Sequence, residues 1–375
     1  MVVTRRRERG VRPFGGVGSV SLPVDETSET LMLRGPRDSN VFVGHALLAF
    51  ALAVLFAEWR GWSTRQALLL GAATGAFAAL PDVDVVYAVV ALDGGQLFGS
   101  GVNPTAFWDA ANSVHRSMTH SVLVALVAGP AFGLWAVRAR TADGVTSRRR
   151  AWGARVASAV LLVALVAVSI VASGALGAVV MGAFVAAGVA VTALSRRKTD
   201  LSPRLLGLAA TAGLLTHPWG DLVTGQPPQF LYPFEVGVIE SRVVLHPDPT
   251  MHLLGAFAIE LAAVWLAALA VVRVTDRSLG TFYDRSAVLG AGYGALALVL
   301  APPTLAVSYH FVFSILAVGV VCSGLSWYRS TPVASLRRRP TAGDVRAGFA
   351  FGATGLSGTT MALIGYVVVY VSLWL

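Results

Sequence analysis

The sequence predicts an all-α, polytopic integral membrane protein with about ten transmembrane helices. Three observations carry that prediction. Of the 375 residues, 55% are hydrophobic and 13% charged, and the mean hydropathy is +0.68, far more apolar than a soluble domain of this length. Apolar runs of about 20 residues, enough to cross a bilayer, recur along the whole chain. The net charge of +9 is gathered into alternate loops, which is the pattern of membrane topology.

Residues 1–40 are polar and arginine-bearing (Arg5, Arg6, Arg7, Arg9, Arg12) and lack the apolar core of a signal peptide. They read as a disordered tail, with the first span acting as the membrane signal. Spans fall near 42–58, 66–91, 119–137, 155–173, 174–194, 204–217, 251–272, 286–305, 306–326 and 349–374. The run 204–217 is short, and 286–326 also divides around Pro302-Pro303. Residues 41–235 hold the main polar clusters and form one membrane domain, to which 236–375 adds further transmembrane helices.

Lys198 is the single lysine, so arginine carries the charge. Arginines crowd 138–155, 196–204, 273–285 and 329–346, whereas 92–118 and 218–250 hold only Arg116 and Arg242. The positive-inside rule puts the first four loops in the cytoplasm and the last two outside, in a multi-pass cell-membrane protein. No aromatic-basic interleaving marks a nucleic-acid surface, so no nucleic-acid partner is expected. Cys322 is the only cysteine; it forms no internal disulfide and says nothing of redox compartment.

Against this apolar background the polar clusters stand out: Gly44-His45, Leu80-Pro81-Asp82-Val83-Asp84, His115-Arg116-Ser117-Met118-Thr119-His120-Ser121, and His217-Pro218-Trp219-Gly220-Asp221. Imidazole and carboxylate are what a hydrolytic divalent metal requires, and a bilayer tolerates them only where something compensates their charge. Each aspartate at mid-span costs about 2.5–3.5 kcal/mol on the insertion scale. Residues two apart on an ideal helix point about 200° apart, but Pro81 disturbs the turn, so Asp82 and Asp84 are expected on unwound backbone facing one site. His115 belongs on the loop entering the third span, with Asn112 or Ser113 as a cap, and His120 on its first turn. Pro218 is expected to break the sixth span at His217, leaving His217 and Asp221 beside a wet cavity. Arg116 is a candidate for a substrate phosphate or carboxylate. Following the parity of the spans, all four clusters fall on one membrane face. His246, Asp248, His252 and Glu260 are weaker candidates for supporting roles, and His310 reads as structural.

These motifs in this order, with Tyr232-Pro233-Phe234 after them, resemble a family of bacterial and archaeal membrane-bound metal-dependent hydrolases, some of whose members are labelled LexA-binding, inner-membrane-associated hydrolases. The resemblance covers roughly 40–235. It implies a hydrolase whose metal is held by His45, Asp82, Asp84, His115, His120, His217 and Asp221. The chain departs from the pattern at Val85, where relatives often carry histidine, and at Ser117, where they often carry glycine. The spans after 250 lie outside the resemblance.

The resulting expectation is a membrane metallohydrolase using one or two divalent ions, zinc by its imidazoles or manganese by its carboxylates, open to the non-cytoplasmic face. Asp84 is the expected base and Arg116 the substrate-binding cation. The partners expected are membrane lipids and a small-molecule or lipid-like substrate such as a phosphoester. The alternative is a transporter whose broken helices form a metal- or proton-binding gate.

Overall fold

A computed structural model describes residues 44–85, 116–139, 147–234, 236–278, 284–305, 308–330 and 342–375. The expected tail 1–40, the end of the second expected span, and the loop holding Asn112, Ser113 and His115 lie outside these residues. The described residues are mostly helical, with no strand among them. In chain order they form α1 (Gly44–Trp59), α2 (Thr64–Ala78), α3 (Val122–Trp135), α4 (Arg148–Lys198), α5 (Pro203–Gly220), α6 (Pro249–Val274), a 3-10 helix (Arg285–Leu298), α7 (Ser308–Ser330) and α8 (Ala342–Trp374).

Local chemistry sets the helix starts. Ser63 caps α2 in a reciprocal box with Gln66, and Ser121, Ser147 and Ser202 cap α3, α4 and α5 through their hydroxyls. Asp248 caps α6, whose first residue is Pro249. Each cap satisfies amide donors that the first turn leaves open, which matters most where water is scarce.

Five segments among the described residues are long and apolar enough to cross a membrane: Thr64–Val85, Arg148–Lys198, Pro249–Val274, Ser308–Arg329 and Gly348–Trp374. About ten were expected, and the difference has identifiable causes. Among the described residues α1 and α3 reach 16 and 14 residues, short of a full span, and α3 begins only after the polar His120-Ser121. The expected pair 155–173 and 174–194 is one 51-residue run that folds at Gly174, whose φ of 60° and ψ of −140° suit only glycine. Past that turn the limbs lie side by side: a Cβ on Gly177 would collide with the Ser169 carbonyl, Ser158 on one limb donates to Ala131 O of α3, and Gly188 on the other packs on Phe132 of α3. The expected span 286–305 becomes a 14-residue 3-10 helix, which at about 2.0 Å per residue reaches about 28 Å.

Three hydrophobic clusters hold these elements. One joins Phe77 of α2 to Phe132 of α3, Phe184 of α4 and Leu214 of α5. A second joins Val54 of α1, Leu70 of α2, Leu206 of α5 and Ala270 of α6. The third is C-terminal and aromatic, with Phe257, Tyr293, Phe311, Tyr366 and Tyr370. The first two bring the start of α1, the ends of α2 and α5 and the start of α3 to one end of the bundle.

Candidate metal centre

Asp82 and Asp84 stand on a 3-10 turn, Pro81–Val85, that follows the end of α2. The helix stops because Pro81 has no amide to continue the ladder. His120 ends a second 3-10 turn, Met118–His120, immediately before the Ser121 cap of α3. His217 lies in the last turn of α5 and Asp221 opens the 3-10 turn after it. Here the expectation of a break at Pro218 is corrected: α5 runs through Pro218 to Gly220. So close to a helix end one lost amide is a small defect, and His217 keeps its helical position.

The structure gathers Asp82, His120 and His217, whose ligand atoms lie within 4.8 Å of one another. The two Nε2 atoms are 3.0 Å apart, and Asp82 Oδ1 is 3.4 Å from His217 Nε2 and 3.8 Å from His120 Nε2. Ligand atoms of one tetrahedral ion with bonds of about 2.0–2.1 Å stand about 3.3 Å apart, and these separations bracket that value.

The far side of each ring shows which nitrogen is bare. His217 Nδ1 is 2.7 Å from Ala78 O, and a carbonyl only accepts, so Nδ1 carries the proton. Thr119 donates to Asp84 Oδ2 at 3.1 Å, leaving its oxygen to accept from His120 Nδ1 at 3.0 Å. Asp84 Oδ2 also lies 3.5 Å from that nitrogen. With both rings neutral, as metal ligation requires, the Nε2 lone pairs point at each other. Two lone pairs at 3.0 Å repel unless a cation lies between them, and a carboxylate–histidine arrangement of this kind is how proteins aim imidazoles at metal.

Asp221 supplies a second indication. Its Oδ2 is buried without a hydrogen-bond partner, 3.3 Å from His120 Nε2 and 3.8 Å from His217 Nε2. Its Oδ1 faces Arg116 Nε at 3.5 Å and His45 Nε2 at 3.4 Å. A buried carboxylate oxygen without a donor costs free energy unless a cation satisfies it. The residues present therefore fit a divalent ion. The Asp82 side chain is 22% exposed while those of His120, His217 and Asp221 are at most 3% exposed, so among the described residues the cluster opens at Asp82.

The remaining expected residues take other places. His45, in the first turn of α1, packs edge-on against His217 with ring centroids 4.9 Å apart and reaches Asp221 rather than the three-atom cluster. Asp84 is wholly buried against Thr119 and His120, which suits aiming a ring more than moving protons. Arg116 was expected to meet substrate, but its guanidinium is turned inward: Nη2 donates to Thr224 Oγ1 at 3.0 Å, Nη1 to Gln226 O at 3.3 Å, and Nε faces Asp221. Its backbone has a φ of 66°, in the left-handed region that residues with a Cβ seldom adopt, held by these contacts and by Gln229 N–H on its carbonyl. His115 lies outside the described residues.

Two participants were not assigned roles from the sequence, and a third was only a weaker candidate. Thr119 and Ser121 were read only as motif letters, yet Thr119 links Asp84 to His120, and Ser121 both caps α3 and donates to the carbonyls of Phe230 and Tyr232. Glu260 of α6 brings Oε1 to 3.8 Å from His45 Nδ1, with an unpartnered buried Oε2; a carboxylate in mid-span was its only sequence signal. His246 and His252 instead accept backbone amides from Asp248 and Leu245.

No curated protein and no solved structure matches the chain. The family model described as YdjM inner membrane protein matches residues 41–280, well over half of the chain. That range takes in α1 to α6, hence every described element of the cluster and also Glu260, which the narrower resemblance at 40–235 had left out. The protein is accordingly a membrane protein, and it belongs to the YdjM inner membrane protein family.

Proposed function

We propose that this protein is a membrane-embedded, metal-dependent hydrolase acting on an ester-type substrate, a phosphoester or lipid-like molecule, at the non-cytoplasmic face. The observation that carries the reading is the pair of bare Nε2 atoms 3.0 Å apart beside two carboxylates. Asp82, His120 and His217 would hold one divalent ion, with zinc favoured by the imidazoles. When bound, the ion supplies Lewis acidity at a buried position that opens at Asp82.

The chain's own residues divide the remaining work. Asp84 and Thr119 aim His120, and the Ala78 carbonyl aims His217. Arg116 and His45 hold Asp221 through Oδ1, which leaves Oδ2 turned toward the same ion. A lipid-like substrate is supported by an open apolar groove of about 510 Å³ between α1, α6 and α8. Its upper residues, Leu47 and Val264, stand one turn beyond Gly44-His45 and Glu260, so a chain whose polar end met the cluster would find hydrocarbon lining below it. The arginine-poor loops beside the cluster support the non-cytoplasmic side.

Metal analysis of the purified full-length protein, followed by a panel of phosphoester, carboxylester and amide substrates with metal bound and removed, tests the reading. Hydrolysis that requires metal and is lost in His217→Ala is the expected result. Stoichiometric metal with no hydrolysis of any class, together with metal uptake into vesicles, would replace it with the transport gate.

A further inference from the structure

A second cluster lies a helix length from the first. α3 leaves His120 and ends at Trp135, and at that far end a cavity of about 180 Å³ is lined by Trp135, Arg138, Arg155, Thr192 and Arg196. The three arginines come from three separate segments: the residues after α3, the first limb of α4 and the second limb. No carboxylate lines the cavity among the described residues.

We propose that this cavity is a binding site for a phosphate group, independent of the metal centre. Three arginines line one small concavity, and an anion whose oxygens accept from several planar donors, as those of phosphate do, is the ligand that such a lining favours. Topology alone calls for arginines at this end of the helices, but not for their convergence on one cavity. Helix ends do not account for it either. Arg196 stands in the last turn of α4 and Arg138 just past α3, where cations offset exposed carbonyls, whereas Arg155 lies about two turns inside α4, beyond the reach of the helix ends. Trp135 gives the rim a side chain suited to the headgroup level of a bilayer, and basic pockets between membrane helices on the arginine-rich side take anionic headgroups. An anionic phospholipid and free phosphate share the recognised chemistry.

The test uses purified full-length protein treated with chelator, so that anions at the metal centre do not contribute. Native mass spectrometry counts bound lipid during titration with phosphatidylglycerol or phosphatidylcholine, with and without inorganic phosphate. The variant Arg138→Gln/Arg155→Gln/Arg196→Gln is compared with Arg148→Gln/Arg149→Gln/Arg150→Gln, which removes equal charge from exposed positions nearby outside the cavity lining. The cavity variant is expected to lose at least tenfold in phosphatidylglycerol affinity and the control less than twofold, with the single Arg155→Gln showing a smaller loss in the same direction should the triple variant fold poorly. Displacement by millimolar phosphate would make the free anion a ligand of the same site, and resistance to it would make the lipid headgroup the ligand. Equal losses in the cavity variant and the control, or no preference for phosphatidylglycerol over phosphatidylcholine, would overturn the proposal.

Discussion

The cluster end of the family-matched region and the C-terminal bundle of 285–374 use the same small residue for opposite ends. Around the cluster, glycine admits a polar side chain: a Cβ at Gly220 would strike the His45 ring, and one at Gly44 would strike the Glu260 carboxylate. In the C-terminal bundle glycine admits another helix's backbone, as where Gly290 of the 3-10 helix meets the Gly358 carbonyl of α8. The first use spends close packing on placing charged groups, and its helices end early at Pro81 and Gly220. The second maximises contact between apolar helices, the usual source of cohesion in lipid, and there Phe311 and Tyr366 pack edge-on with centroids 5.4 Å apart. Chemistry and cohesion are therefore separable within one chain.

The largest test of that separation is His217→Ala. Removing one of two facing Nε2 atoms should take bound metal from stoichiometric to near zero, while insertion and the far-ultraviolet helical signal stay intact. Hydrogen exchange should then rise around 118–121 and 214–223 and remain unchanged in 308–330. A loss of protection spreading evenly into the C-terminal bundle would show that the cluster holds the whole fold together.

A matched glycine pair comes next. Gly220→Ala should displace His45 and lower metal affinity or turnover with little change in melting temperature, because a side chain yields more readily than backbone. Gly290→Ala presses on a backbone carbonyl and should destabilise by about 1–3 kcal/mol, the usual cost of overpacking, with metal content unchanged. If both variants lose metal, or both lose only stability, the two uses of glycine are not distinct.

The sequence showed much of this, and its failures have physical causes. Apolar runs located the helical segments, and the boundary between 173 and 174 coincides with the turn at Gly174. Pro81 correctly marked unwound backbone. Pro218 did not break its helix, because the cost of a missing amide depends on distance from the helix end, which the residue type does not reveal. Arg116 was expected at a substrate, and the sequence carries no record of Thr224 and Gln226, more than a hundred residues away, closing around its guanidinium. Glu260 could be named only as a weaker supporting candidate, because the sequence does not record that α6 crosses α1 at Gly44.

Asp84→Asn should give a smaller effect than either metal-ligand loss. The amide keeps the shape but can donate where the carboxylate only accepted from Thr119, which weakens the orientation of His120. Substitutions behind a ligating histidine cost about 10–100-fold in metal affinity, and competition against a zinc indicator would read it. An affinity within twofold of the parent would mean that Thr119 alone aims the ring.

The smallest expected effect lies where the two regions meet. Tyr370 of α8 donates to both carboxylate oxygens of Asp248 at 3.2 Å, and Asp248 also caps α6, the helix that carries Glu260. Both distances are long for a hydroxyl on a carboxylate, and the cap itself does not require the tyrosine. Tyr370→Phe should therefore cost about 1 kcal/mol of stability, the ordinary net value of one hydrogen bond, seen as a small fall in melting temperature. Metal affinity should not change, because the lost contact tethers one end of α6 while Glu260 is held three turns further along by its packing against Gly44. A fall in metal affinity larger than the fall in stability would show that the C-terminal bundle sets the position of α6 at the cluster, and cohesion would then be part of the chemistry.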